Sequence, residues 1–320
     1  MGLRFPEDLD AWRAAHRHRN LRPWRDTTPR GVIVSAGPSP DILVAVDNAS
    51  MTSRSALLDT VADIPAERLA VLAGMDPTPY LPTADWKKRR WAQHEPLPHV
   101  STILVTHAVA LGRYAAEHAE RSGARLLVIQ HGILTPEAPP LPTGAEFLAW
   151  SHSDVDFMVG ARTDITRTHI VGAQLLTKAA RTNLAPTDQP PVYLGQLHGA
   201  ELPRRDLARA AFDFCIDNSA RYRPHPSEID VSSRWQRRRW VRNGLRIEDS
   251  GRPLLGLGAP VVAVYSTGVL EAAAAGIPAW VQFPDPPTWL ASLWERYAMA
   301  QWGGPPTRAS SLLGSGDPAR

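Results

Sequence analysis

The segment Val261–Pro278 admits few architectures. Five residues, Val261-Val262-Ala263-Val264-Tyr265, are followed by Ser266-Thr267-Gly268, then Val269–Ala275, then Gly276 with Pro278 two residues on. A short apolar run rich in β-branched residues suits a strand buried on both faces, as in a parallel sheet. Ser and Thr can cap a following helix, and Gly lets the backbone come close to a ligand. Gly276 and Pro278 form a helix stop. Ser266 and Thr267 therefore stand at a strand-to-helix turn on the carboxyl edge of a sheet. Free N–H groups and the helix dipole favour an anion there, above all a phosphate. Glu271, one turn into the helix, can accept hydrogen bonds from ribose hydroxyls. The same spelling also suits a plain capped helix with a solvated Glu271.

A second signal lies about forty residues upstream, in Arg223-Pro224-His225-Pro226-Ser227-Glu228. Proline on both sides of His225 removes backbone donors and stiffens the loop. A rigidly held His beside Arg223 suits a phosphate ligand or a proton donor. Gly195-Gln196-Leu197-His198-Gly199 is a Gly-rich turn after the strand 191–194 and can cradle a pyrophosphate, with Gln196 as a contact.

The rest of the chain reads as alternating strands and helices. Strands are expected at 31–36, 42–46, 69–72, 102–106, 125–130, 147–150, 157–159, 168–171, 191–194, 222–223, 245–247, 261–265 and 279–283. Helices are expected at 8–20, 52–61, 111–121, 202–217, within 229–242, at 269–275 and at 288–299. Short β-α-β turns mark a doubly wound parallel sheet. The polar stretch 178–190 reads as an interdomain linker, dividing the chain into domains 1–180 and 181–308 with a Ser/Gly-rich disordered tail at 309–320. Gln130-His131-Gly132 ends a strand of the first half, at the edge where ligands of open α/β sheets sit. His131 there is either a base or a His that hydrogen-bonds its turn. His107 and Asp47 also end strands.

At these residues a family resemblance enters. His225-Pro226 followed by Ser266-Thr267, Glu271-Ala272 and Gly276-Ile277-Pro278 resembles the donor half of GT-B glycosyltransferases. The likeness is nearest to the CDP-glycerol glycerophosphotransferase, capsule-polysaccharide transferase and bacterial polysialyltransferase group, over about residues 190–285 and less over 100–175. It implies two Rossmann-like domains facing across a cleft. It also implies His225, Ser266 and Thr267 on the nucleotide phosphates, with Arg223 and Gly268 beside them, and Glu271 on the ribose. His131 matches the His-Gly whose histidine serves those enzymes as base, although Gln130 stands where they usually show Trp.

The implied function is a metal-independent transferase. It would move a sugar or polyol phosphate from a cytidine or uridine nucleotide donor to a cell-envelope glycan or lipid-linked acceptor. His131 and His225 would be catalytic, and no cofactor would be needed beyond the activated donor. The alternatives are a nucleotide-sugar 2-epimerase-like enzyme and a non-catalytic nucleotide- or RNA-binding α/β protein. No Walker A, nucleophile elbow or Cys–His zinc spacing occurs. Asp154-Val155-Asp156 has the spelling of a metal-binding pair but is expected to precede a strand, so no metal ligand is assigned.

Composition sets the remaining limits. The 320 residues, 43% hydrophobic, suffice for two cores. One Cys excludes an intramolecular disulfide, and the Arg-rich start is unlike a signal peptide, so a cytoplasmic setting is expected. A net charge of +3 gives no argument for a nucleic-acid partner. Basic residues cluster, however, at Arg13, Arg17, Arg19, Arg22 and Arg25, at Lys87-Lys88-Arg89-Arg90, and at Arg234, Arg237, Arg238, Arg239 and Arg242. The last two clusters interleave with Trp. They are read either as solvated faces or as a peripheral contact with anionic lipid at the inner membrane face.

Overall fold

The computed structural model describes residues 2–16, 30–47, 50–93, 95–185, 187–198 and 201–308. Its contacts divide these into two units, 2–134 with 138–174, and 135–137 with 175–308. The sequence-derived boundary at 180/181 falls at the end of a helix, Gln174–Ala180, that clusters with the second unit.

The first unit holds eight strands: β1 (Arg30–Ser35), β2 (Ile42–Val46), β3 (Leu69–Ala73), β4 (Lys87–Ala92), β5 (Thr102–Val105), β6 (Arg125–Ile129), β7 (Glu146–Ala149) and β8 (Arg167–Ile170). They lie in the order β4-β1-β3-β2-β5-β6-β7-β8, with β1 antiparallel to both its neighbours and the rest parallel. The six parallel strands repeat a doubly wound order whose direction reverses between β2 and β5. Alternate residues of one strand fill opposite layers. Leu43 and Ala45 join one core cluster, with Leu111, Ala115 and Ala119. Val44 and Val46 join the other, with Leu57 and Leu58. A strand buried on both faces needs such a continuous apolar run.

Helix α1 (Leu9–His16) precedes the sheet, and α2 (Met51–Arg54) runs into a π turn at Ser55–Asp59. Helix α3 (Ala110–Ser122) ends at Gly123, which takes φ 71°, the left-handed conformation glycine supplies without strain. Helix α4 (His152–Met158) occupies the place where the sequence suggested a strand at 157–159. Ser151 caps it by accepting from Asp154 N at 3.2 Å, and donates to Asp154 Oδ2 at 2.8 Å. Asp154 is thus a buried capping residue.

The basic Trp-flanked segment, to which the sequence assigned no strand, is the edge strand β4. Lys87, Lys88, Arg89 and Arg90 are exposed, and only Trp91 is buried there. Charged side chains on a sheet edge discourage pairing with another chain, which gives these residues a structural use. Arg17, Arg19, Arg22 and Arg25 and the tail 309–320 lie outside the described residues.

The second unit begins with α5 (Gln174–Ala180). It carries β9 (Val192–Leu194), β10 (Arg221–Arg223), β11 (Arg246–Ile247), β12 (Val261–Ala263) and β13 (Ala279–Val281), in the order β11-β10-β9-β12-β13 and all parallel. This is the 3-2-1-4-5 order of a doubly wound sheet, reversing between β9 and β12. Helices α6 (Arg204–Asp217), α7 (Val231–Arg242), α8 (Thr267–Ala274) and α9 (Thr288–Arg296) accompany it. Both units are therefore α/β, built on largely parallel sheets. Among the described residues, no helix is long and apolar enough to cross a membrane.

Candidate functional site

In the second unit, three loops converge at the carboxyl edge where the strand order reverses. The loop after β12 begins α8. Ser266 is its N-cap, with extended backbone, and its hydroxyl accepts from Gly268 N at 3.1 Å. Thr267 is the first helical residue. Gly268 packs closely: a Cβ there would stand 2.6 Å from Leu194 Cδ1 and 3.1 Å from Leu254 Cδ2, so both leucines would have to shift. Its absence brings the N-terminus of α8 close to β9. Val269 N donates to Ser266 O at 3.0 Å, and the positive end of the α8 dipole lies at this turn, where it favours an anion.

The loop after β9 is fastened to this turn by Gln196. Its Oε1 accepts from Val264 N at 3.1 Å and Tyr265 N at 2.9 Å, and its Nε2 donates to Tyr265 O. Both ends of the buried amide, expected from the sequence as a cofactor contact, are engaged with backbone inside the protein. Gln196 staples the two strands that flank the reversal.

The loop after β10 brings His225. Its Nδ1 accepts from Ser227 N at 3.1 Å, which leaves the proton of the neutral ring on Nε2. The ring lies flat against His198, centroids 3.7 Å apart and planes 16° from parallel. Burial, reinforced by His198, pulls the His225 pKa down to about 4. Glu228, almost fully buried, fixes the loop. Its carboxylate accepts from Leu197 N at 3.0 Å and from Tyr222 Oη at 2.9 Å. Burial raises its pKa. Arg223, at the end of β10, donates to Arg252 O at 2.8 Å and exerts a favourable charge interaction on Glu271. Glu271 is buried inside α8, and that burial pushes its pKa up to about 7.

The first unit has its own edge. Asp47, after β2, caps α3: its Oδ1 accepts from Leu111 N at 2.6 Å and Gly112 N at 3.2 Å. Ala110 takes φ 45°, a conformation rarely seen outside glycine, to turn those donors inward. Burial raises the Asp47 pKa to about 6. Beside it His107 and His131 meet edge to face, centroids 4.6 Å apart. They line a narrow pocket with Thr106, Gln130, Pro139 and Pro140. Burial drives the His131 pKa to about 4 and that of His107 well below the ordinary value, so both rings are neutral at physiological pH. Gln130 holds the turn of His131: its Oε1 accepts from Trp150 N at 2.8 Å, and its Nε2 donates to Gly132 O at 3.1 Å.

The structure thus gathers Arg223, His225, Ser266, Thr267, Gly268 and Glu271 at one edge, and puts His131 at the corresponding edge of the other unit. His198 and Glu228 were not assigned from the sequence. The spacing that could have pointed to His198 is its position two residues after Gln196, on the far end of a turn that begins at the strand. Among the described residues, no group of three His, Cys, Asp or Glu side chains is placed to hold a metal ion.

No protein-family model matches the chain. No curated protein matches it either. Solved structures similar to it include the following two. One is described as a putative UDP-N-acetylglucosamine 2-epimerase from Listeria monocytogenes, with 10% identity, 86% of each chain covered and a TM-score of 0.48. The other is a UDP-GlcNAc 2-epimerase from Methanocaldococcus jannaschii, with 8% identity, 85% of this chain and 97% of that chain covered and a TM-score of 0.48. These findings correct the leading functional expectation. The structures similar to this chain are described as epimerases, not as members of the glycerophosphotransferase group, and do not bear out the transferase reading.

Proposed function

We propose that the chain binds a nucleotide-activated sugar at the carboxyl edge of its second sheet and acts on it as an enzyme of the 2-epimerase type. One observation carries the reading. The Ser266-capped start of α8 and the buried Glu271 stand on the same helix, with Arg223 at the end of β10 and His225 on the loop that follows it. A helix N-terminus takes phosphate oxygens, and a carboxyl one turn along it takes the hydroxyls of the attached ribose. Arg223 and a proton-bearing His225 Nε2 supply further donors to a pyrophosphate.

Inversion at carbon 2 requires a group that takes its proton while the electron pair forms a double bond to carbon 1 and the nucleoside diphosphate leaves. It also requires a group that returns a proton as the diphosphate adds back. A neutral imidazole is in the form that accepts a proton, and His131 is held in that form. The reaction assayed first is the one named for the similar structures. Titration calorimetry with UDP, CDP, GDP and ADP tests the nucleotide site. Incubation with UDP-N-acetylglucosamine in deuterated water, followed by proton NMR, tests the reaction through loss of the signal at sugar carbon 2. Binding of one nucleotide diphosphate and exchange at that carbon support the proposal. Binding without exchange would favour the non-catalytic nucleotide-binding reading, and no binding would remove both.

A further inference from the structure

Helix α7 is unlike the other helices in what it leaves to solvent. From Val231 to Ile247 the sequence has six arginines and no acidic residue. Ser233 and Trp240 are buried, Trp240 packing edge to face on Tyr222 with centroids 4.9 Å apart. Arg237 turns inward to donate to Glu228 O at 2.9 Å. These residues anchor the inner side. The outer side is lined by Val231, Arg234, Trp235, Arg238, Val241 and Arg242, at the three- and four-residue spacing of one helix face. Trp235 is 59% exposed, Val231 73% and Val241 54%, and Ile229 just before the helix is 69% exposed. Among the described residues, Arg234, Arg238 and Arg242 have no carboxylate partner, and Arg239 lies over the Trp235 ring at 5.9 Å.

We infer that this face of α7 docks on an anionic phospholipid bilayer. Unpaired arginines supply the attraction to lipid phosphates, and their charge is complementary to that surface. Trp and Val side chains beside them can enter the boundary between headgroup and acyl chain, where an amphipathic Trp ring is favoured. A nucleic acid would satisfy the arginines and leave Ile229, Val231 and Val241 in water, so the bilayer accounts for more of the surface. The inference uses none of the residues proposed to contact the nucleotide, and it stands without the proposed function.

The test is co-sedimentation of the full chain with vesicles. One set is phosphatidylcholine alone, and the other contains about 30% phosphatidylglycerol. The variants are Trp235→Ala with Val231→Ser, and Arg234→Glu with Arg238→Glu. Thermal melts confirm that these exposed substitutions leave the fold intact. The expected result is binding to the anionic vesicles only, weakened by salt and reduced about 10-fold or more in both double variants. Failure of the wild-type chain to bind anionic vesicles overturns the inference, as does undiminished binding by the Trp235/Val231 variant. A single-stranded oligouridylate bound more tightly than the vesicles, and unaffected by Trp235→Ala, would assign the face to nucleic acid instead.

Discussion

The side-chain oxygen of Gln196 accepts hydrogen bonds from the backbone N–H groups of both Val264 and Tyr265, while its amide nitrogen donates to the Tyr265 carbonyl. One buried side chain thereby joins the ends of β9 and β12, the two strands between which the strand order reverses. Replacing Gln196 with Leu keeps the bulk and leaves the two N–H donors and the carbonyl buried without these partners. Each such group costs about 1–3 kcal/mol. We expect Gln196→Leu to lower stability by about 2–4 kcal/mol in urea unfolding. Nucleotide affinity should fall with it, because the Ser266 turn loses its support. Unchanged unfolding would show that the staple contributes nothing.

His225 sets a pH dependence for the proposed ligand. Its pKa in the free protein is about 4, well below the ordinary 6.5, because the ring is partly buried against His198. The lowered value means that the free protein resists protonation of this ring, and that stability declines as pH falls from 6.5 through 4. A bound pyrophosphate favours the imidazolium, so its binding takes up a proton. The pyrophosphate of a nucleotide sugar has no group of its own that titrates near neutrality. Affinity should therefore rise several-fold from pH 8 to pH 6, and calorimetric heats should vary with the ionisation enthalpy of the buffer. Both effects should vanish in His225→Ala. A pH-independent affinity in the wild-type chain would place His225 away from the phosphates.

The two units differ in how far they could be read in advance. The β-α-β rhythm from Thr102 to Ile129 and the turn at Ser266 were legible, because buried parallel strands need unbroken apolar runs and helices need caps. The antiparallel entry of β1 was not, since strand direction leaves no mark on residue type. Lys87–Ala92 hid as a strand because an edge strand carries charge where a central one carries Val or Ile. The segment 157–159 looked like a strand because three residues cannot separate the two periodicities. The capping pair Ser151 and Asp154 was the signal that would have decided it. Gln196 lies on a turn that was legible from the sequence. Its occupation by backbone partners depends on a strand seventy residues away, which no local pattern reports.

Glu271 should give a second, opposite pH signature. Its folded pKa is about 7 against an ordinary 4.5, because burial penalises the carboxylate. A raised folded value means that the folded state holds the proton more tightly. The benefit is complete below pH 4.5 and is lost as pH rises through 7, amounting to about 3 kcal/mol above that. Glu271→Gln removes the ionisation. The variant should match the wild type in thermal unfolding at pH 5 and exceed it at pH 8. It should also bind a ribonucleotide less tightly, with a smaller loss for the 2′-deoxy form. A variant no more stable at pH 8 would mean that Glu271 ionises at its ordinary value.

His131 separates binding from chemistry. Its ring is neutral above about pH 4, and its turn is held by Gln130 rather than by the ring itself. Removing the imidazole should therefore leave the fold of the first unit in place. The nucleotide contacts proposed for Arg223, His225, Ser266 and Glu271 all belong to the second unit. His131→Ala should accordingly keep nucleotide affinity within about 2-fold, while proton exchange at sugar carbon 2 falls by about 10²-fold or more. In the wild-type chain the exchange rate should be level through neutral pH and fall off below pH 5, as the base becomes protonated. If His131→Ala exchanges at the wild-type rate, the proton acceptor lies elsewhere. If it loses nucleotide affinity in proportion to rate, His131 acts in binding and has no role as the base.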